Sequence, residues 1–183
     1  MRKLAIATAA ALTALTAFCA WGAWVYEGEW GKNGRGPGEF RNAEGVIVAP
    51  TSVIYVADGA NCRIQYFTPA GSYLGEWGAP GSNNGEFEYA HDVAVTSNLR
   101  FYVVDYGGHR IQYFTGSGSF LGKWGYEGPG NGMFNFPRGI AVAPGDNIYV
   151  TDTYNVRVQY FTPAGSFLGK WTYADFDMPY KLA

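Results

Sequence analysis

Apolar and aromatic residues recur along this chain in short runs set between Gly, Pro and Asn clusters, the pattern of short strands joined by tight turns. Four such runs follow one another in Gly139-Ile-Ala-Val-Ala143, Ile148-Tyr-Val-Thr151, Arg157-Val-Gln-Tyr-Phe161 and Ser166-Phe-Leu-Gly-Lys-Trp171. Pro144-Gly-Asp-Asn147 supplies the first turn and Thr162-Pro-Ala-Gly165 the last, each with Pro ahead of Gly or a small polar residue. The whole pattern repeats. Phe67-Thr-Pro-Ala-Gly-Ser-Tyr-Leu-Gly-Glu-Trp77 returns as the segments beginning at Phe114 and Phe161, a step of 47 residues. The same step relates Trp30, Trp77, Trp124 and Trp171, then Tyr55, Tyr102 and Tyr149, and Phe40, Phe87 and Phe134. A period of this length with four strands per unit predicts an all-β chain of stacked four-stranded sheets, the blades of a β-propeller.

The blades fall at about 46–78, 92–125 and 139–172, within a propeller segment covering 24–183. Phe176-Asp-Met-Pro179-Tyr-Lys-Leu-Ala183 repeats the opening of the third unit at a shorter step, so a fourth blade is expected to start at 176–183. Val25 to Gly31 aligns with the outermost strand of the other units and reads as a closing strap. About three complete blades are too few to close a ring, which takes about four to eight. The expectation is an incomplete, open propeller: either the reading frame continues or was truncated, the favoured outcome, or two copies self-associate to complete a ring.

One stretch stands outside the repeat. Arg2 and Lys3 precede the apolar run Leu4 to Phe18, and no charge occurs from Leu4 to Val25. This predicts an N-terminal apolar helix at 1–23 that is a signal peptide or a membrane anchor. Cleavage, lipidation at Cys19 and retention remain open, and Phe18 ahead of Cys19 departs from a lipobox. Each version places the rest of the chain outside the cytoplasm, secreted, periplasmic or membrane-anchored. Membrane contact is expected only through this segment.

The string Phe136-Pro-Arg-Gly-Ile-Ala-Val142, followed by Asn147-Ile-Tyr-Val-Thr-Asp152 and Asn155-Val-Arg-Val-Gln-Tyr-Phe161, resembles the NHL repeat of exported bacterial or archaeal type. The first two units match more loosely. The resemblance implies a propeller of NHL-type blades. It leaves function open, because such propellers serve as protein-binding, RNA-binding and sensor modules and, in the peptidyl-hydroxyglycine lyases, as metalloenzymes.

Candidate chemistry divides into what repeats and what does not. Asp58, Asp105 and Asp152 each lie five residues before Arg63, Arg110 and Arg157. A site is needed once and a clamp once per blade, so these pairs read as structural, fixing a corner between strands. Trp77, Trp124 and Trp171 read as structural for the same reason. Glu44, His91, Arg138 and Tyr180 share a register but not a chemistry, and are expected just before the innermost strand, near the mouth of the central channel. They form the candidate binding site, set against the plainer reading of solvated loop positions that are free to vary.

Charge and composition narrow the function. With 13 Lys plus Arg against 15 Asp plus Glu and no basic run, a nucleic-acid partner is not expected. Only His91 and His109 are available, whereas a catalytic zinc takes about three protein ligands. His109 aligns with Cys62 and Val156 at a packed position, and Cys62 reads as a core hydrophobe without a disulfide partner. Gly34-Arg-Gly-Pro-Gly38 reads as a corner connection rather than a phosphate cradle. No metal or cofactor is expected, and no catalysis. The leading reading is an exported or membrane-tethered scaffold for a protein or small ligand. The alternatives are a fragment of a secreted, metal-dependent lyase-like enzyme and a non-functional remnant of a longer gene.

Overall fold

Wherever β-branched and aromatic residues fall between the Gly- and Pro-bearing turns, the backbone is extended. The computed structural model describes residues 28–172 and Pro179. The N-terminal apolar helix, Cys19, Tyr180 and, apart from Pro179, the opening of a fourth blade lie outside those residues. Two short strands, β1 (Lys32–Asn33) and β2 (Glu39–Phe40), pair in parallel. Three four-stranded antiparallel sheets follow, each with its strands in chain order. The first holds β3 (Ala43–Val48), β4 (Ile54–Asp58), β5 (Arg63–Phe67) and β6 (Tyr73–Trp77). The second holds β7 (Ala90–Val95), β8 (Phe101–Asp105), β9 (Arg110–Phe114) and β10 (Phe120–Trp124). The third holds β11 (Pro137–Val142), β12 (Ile148–Asp152), β13 (Arg157–Phe161) and β14 (Phe167–Thr172).

These are three propeller blades in an open arrangement, with the innermost strand of the middle blade, β7, against both β3 and β11. Among the described residues no helix is long and apolar enough to cross a membrane. Each innermost strand begins two or three residues earlier than the expected 46, 92 and 139. The reason is a break in strand register. Between Ala43 and Val46, Ala90 and Asp92, and Pro137 and Ile140 the pairing shifts, so the alternation that marks a strand is interrupted near its start.

Burial follows position in the blade. Both β4 and β8 are buried at every residue: β8 packs Phe101 and Val103 toward blade one and Tyr102 and Val104 toward blade three, while β4 packs Tyr55 and Ala57 toward blade two and Ile54 and Val56 under Trp30 and Phe40. The outer strands alternate and carry exposed Leu74, Leu121 and Leu168. One apolar cluster joins blades one and two around Tyr55, Ile64, Trp77, Phe101 and Phe114. A second joins blades two and three around Tyr102, Ile111, Phe134, Ile148 and Phe161.

The tryptophans make the contacts between blades. Trp77 leaves β6 and lies 4.6 Å from the Phe114 ring of blade two, on top of Gly118. Trp124 repeats this on blade three, 5.6 Å from Phe161 and over Gly165. A Cβ at either glycine would collide with the indole, and both hold φ near +85°. Trp30 takes the corresponding place on blade one, 4.4 Å from Phe67 and over Gly71. Trp77 is 8% exposed whereas Trp171, which meets no following blade among the described residues, is 46% exposed. Trp77→Ala is therefore expected to destabilise by about 3–5 kcal/mol and Trp171→Ala by well under half of that. Chemical denaturation of the two variants beside the parent checks the difference.

Candidate functional site

Every blade grips the Gly-rich loop ahead of it with one buried arginine. In blade two, Arg110 Nε donates to Asp105 Oδ2 at 2.7 Å, Nη1 to the carbonyl of Ser82 at 2.6 Å, and Nη2 to those of Asn83 and Glu86. Gln112 Nε2 donates to the same Glu86 carbonyl at 2.6 Å, while its Oε1 accepts the N–H of Gly85. Asp105 Oδ1 accepts the backbone N–H of Glu88. Blade one builds the same device from Arg63, Asp58 and Gln65 on loop carbonyls of Arg35, Gly36 and Glu39. Blade three builds it from Arg157, Asp152 and Gln159 on Pro129, Gly130 and Met133. The arginine and aspartate thus hold a loop to a sheet, where the sequence suggested a corner between strands.

That grip fixes where the chain enters each innermost strand, and there the register breaks set Glu44, His91 and Arg138. They are the second residues of β3, β7 and β11, inside the strands rather than just before them as the sequence suggested. A bulged residue leaves the regular ladder, so its side chain is aimed independently of its neighbours. Glu44 is exposed, and His91 and Arg138 are half-buried. Tyr180 lies outside the described residues.

What brings these three together is a row of rings that the register comparison did not single out. Tyr89 Oη donates to Glu44 Oε1 at 2.8 Å and accepts from Asn42 Nδ2 at 3.3 Å, bridging blades one and two. Its ring lies over Gly59, where a Cβ would strike it. The Tyr106 ring stands 6.0 Å from Tyr89 and 5.6 Å from His91. The Arg138 guanidinium lies 5.4 Å above the Tyr106 ring in a cation–π contact that joins blades two and three. Phe136 continues the row, 4.8 Å from Tyr106 and 5.3 Å from the exposed Tyr154. His109 steadies Phe136: its Nδ1 accepts the Phe136 N–H at 3.1 Å, and its ring lies 4.4 Å away. This places His109 behind the row as a support.

Asp92 is a further residue the sequence reading missed. It is buried beside His91, with Oδ2 accepting the N–H of Ile140 at 3.2 Å and Oδ1 accepting that of Val93. Gly45 leaves the room its carboxylate needs. The signal was present, since Asp92 stands where the other two units have Gly45 and Gly139.

Burial pushes the Tyr89 phenol up to about 12; the Asn42 hydrogen bond opposes this, and Glu44 adds to it. Burial also raises the Cys62 thiol, whose Sγ donates to the carbonyl of Glu88. Among the described residues no three His, Cys, Asp or Glu side chains converge as a metal-holding group. The arrangement offers aromatic faces, a carboxylate, an imidazole and a guanidinium side by side, which suits recognition of a polar ligand or a peptide surface.

The family model of the NHL repeat matches residues 87–114 and 134–161. No curated protein matches the chain significantly by sequence. Among solved structures, virginiamycin B lyase from Staphylococcus aureus superposes with a TM-score of 0.60 at 17% identity, over 75% of this chain and 43% of that one. The WD40 repeats of RRP9 give 0.58 at 17% identity over 74% and 41%. A nidogen/laminin complex gives 0.59 at 17% identity over 78% and 51%. Likeness at this identity shows the propeller fold, and the chain spans about half or less of these structures' length.

Removing one clamp partner leaves a buried, uncompensated charge, so Arg110→Ala is expected to lose about 3–5 kcal/mol of stability, read from a urea titration. Tyr89 yields a pH signature. Its folded value of about 12 lies above the ~10 of an unfolded tyrosine, so the fold favours the neutral phenol. The stability this contributes is full below pH ~10 and is lost as pH rises toward ~12. Tyr89→Phe is expected to flatten that part of the stability–pH curve, and a curve as steep as the parent's would contradict the assignment.

Proposed function

The chain carries NHL repeats folded as propeller blades, and from that premise we propose that it is an exported or membrane-tethered scaffold. It binds a protein or small ligand on the face spanned by Glu44, Tyr89, His91, Tyr106, Phe136 and Arg138, without catalysis of its own. The observation that carries this reading is the contrast between two sets of residues. The clamp is built from the same three residue types in every blade, whereas the bulge positions of the innermost strands hold a carboxylate, an imidazole and a guanidinium linked through tyrosine rings across both blade boundaries. A frame that repeats with a face that does not is how binding surfaces are set on rigid scaffolds. Export rests on the basic start and the uncharged apolar run from Leu4 to Val25.

Arg138→Glu reverses the charge above Tyr106 and tests the face. Screened against peptide and glycan arrays, the variant is expected to lose at least about tenfold of the binding the parent shows, roughly the free energy of one cation–π or charge-assisted contact. Its thermal melt should stay within a few degrees of the parent. Unchanged array binding would remove the face from consideration, and loss of folding would make Arg138 structural. Expressed from Met1 in a bacterium, the protein is expected in the membrane, periplasmic or external fraction.

A further inference from the structure

The glutamine of each clamp makes one contact beyond the grip of the arginine. In blade two, Gln112 Nε2 donates to the Glu86 carbonyl and lies 3.5 Å from Asp105 Oδ2. Both of these oxygens only accept, so the amide nitrogen faces them and Oε1 faces the loop, where it accepts the N–H of Gly85 at 3.0 Å. Gln159 is oriented in the same way by Met133 and Asp152 and accepts the N–H of Gly132 at 2.9 Å. In blade one Gln65 accepts that of Gly38 at 2.8 Å. Each of these glycines is the third residue of a turn, closed by Glu39 N–H to Gly36, Glu86 N–H to Asn83 or Met133 N–H to Gly130. Their φ values of +72°, +83° and +75°, each after a residue that is not left-handed, mark type II turns, which favour proline at the second place. Blade one has Pro37 there, whereas blades two and three have Asn84 and Asn131, both exposed.

Asparagine followed by glycine is open to attack by its own backbone, because glycine sets no Cβ beside the attacking nitrogen. Hydroxide takes the proton of the glycine N–H, the nitrogen bonds to the asparagine Cγ, and the side-chain nitrogen leaves as ammonia. Water then opens the five-membered imide at either carbonyl, leaving aspartate or isoaspartate. The nitrogens that would attack Asn84 and Asn131 are those of Gly85 and Gly132, the very groups that Gln112 and Gln159 hold. We propose that Asn84 and Asn131 are latent sites of succinimide formation, each kept silent by the clamp glutamine of its own blade. The hydrogen bond opposes loss of the proton and fixes the peptide plane, which has to turn before its nitrogen reaches Cγ. The clamp is also what conversion would damage. Arg110 Nη2 grips the carbonyls of Asn83 and Glu86, and Arg157 Nη2 those of Gly130 and Met133, so an isoaspartate adds a main-chain carbon between two gripped points. Asn33–Gly34, the remaining pair of this kind in the sequence, has its glycine N–H on the Phe40 carbonyl at 3.1 Å and no glutamine against it. This role is independent of what binds at the Glu44–Arg138 face.

The test is the rate of deamidation in the full-length protein, held in mildly alkaline buffer and read by peptide mass spectrometry, beside a synthetic peptide spanning Gly81 to Phe87. Asn84 in the parent is expected to convert at least ~100-fold more slowly than in the peptide, since only the fraction with its clamp open reacts. Gln112→Met removes the acceptor and should speed Asn84 by about tenfold, the worth of one hydrogen bond, while Asn131 and Asn33 keep their rates. Gln159→Met should do the same for Asn131 and leave Asn84 as it was, so each site is the folding control for the other. Gln112→Asn, which keeps the amide but draws it back from Gly85, repeats the measurement if the methionine variant unfolds. Conversion of Asn84 in the folded parent at the peptide's rate overturns the proposal, and so does a Gln112 variant in which Asn84 is no faster. All sites speeding alike in both Gln112 variants also overturns it, by assigning the protection to the fold at large.

Discussion

A guanidinium buried between a sheet and a loop must satisfy all its donors where it lies, because arginine does not shed its proton inside a protein. In each blade every guanidinium nitrogen finds a partner, the aspartate at Nε and three loop carbonyls at Nη1 and Nη2, and in blade one Glu76 also accepts from Nη1. The aspartate in turn needs its second oxygen satisfied, and the backbone N–H of Arg41, Glu88 or Asn135 supplies it. Neither the loop nor the second and third strands can form this network alone. The clamp therefore needs loop and sheet in place together, and a buried network in which every guanidinium nitrogen has a partner favours a single arrangement.

The placement of Glu44, His91 and Arg138 follows from this. The loop held by the arginine delivers the chain to the innermost strand at a fixed point and angle, and the register break there turns one side chain per blade away from the ladder. Because the breaks lie at equivalent places, three unlike groups arrive side by side without any of them having to build the frame. Tyr89 and Tyr106 then connect groups that belong to different blades, so the face depends on the blade boundaries that Trp77 and Trp124 hold.

The repeat made the fold legible in the sequence alone. A step of 47 residues held at Trp, Tyr, Phe, Asp and Arg positions leaves little else for the chain to form. Pro144 and Gly145 marked a true turn, with Gly145 at φ +91°. The grip of Arg63, Arg110 and Arg157 on the preceding loop was not legible, since its acceptors are backbone carbonyls about 24–28 residues earlier and carry no residue preference. Register comparison found Glu44, His91 and Arg138 but placed them ahead of the strand, because a bulge erases the alternation by which a strand start is recognised. Tyr106 and Tyr154 escaped notice because they stand one place apart in the repeat, on the Gly59 and Ala60 registers. Their convergence through Phe136 exists only in three dimensions.

The bulge also separates inheritance from variation. Each blade carries its own arginine, glycine seat and tryptophan, each matched to the same features in its neighbours. The residue on the bulge is outside the ladder and outside the clamp, and can change in one copy without loss to the others. A chain built in this way can change its exposed chemistry one residue per blade while the clamp and the tryptophan seats stay as they are.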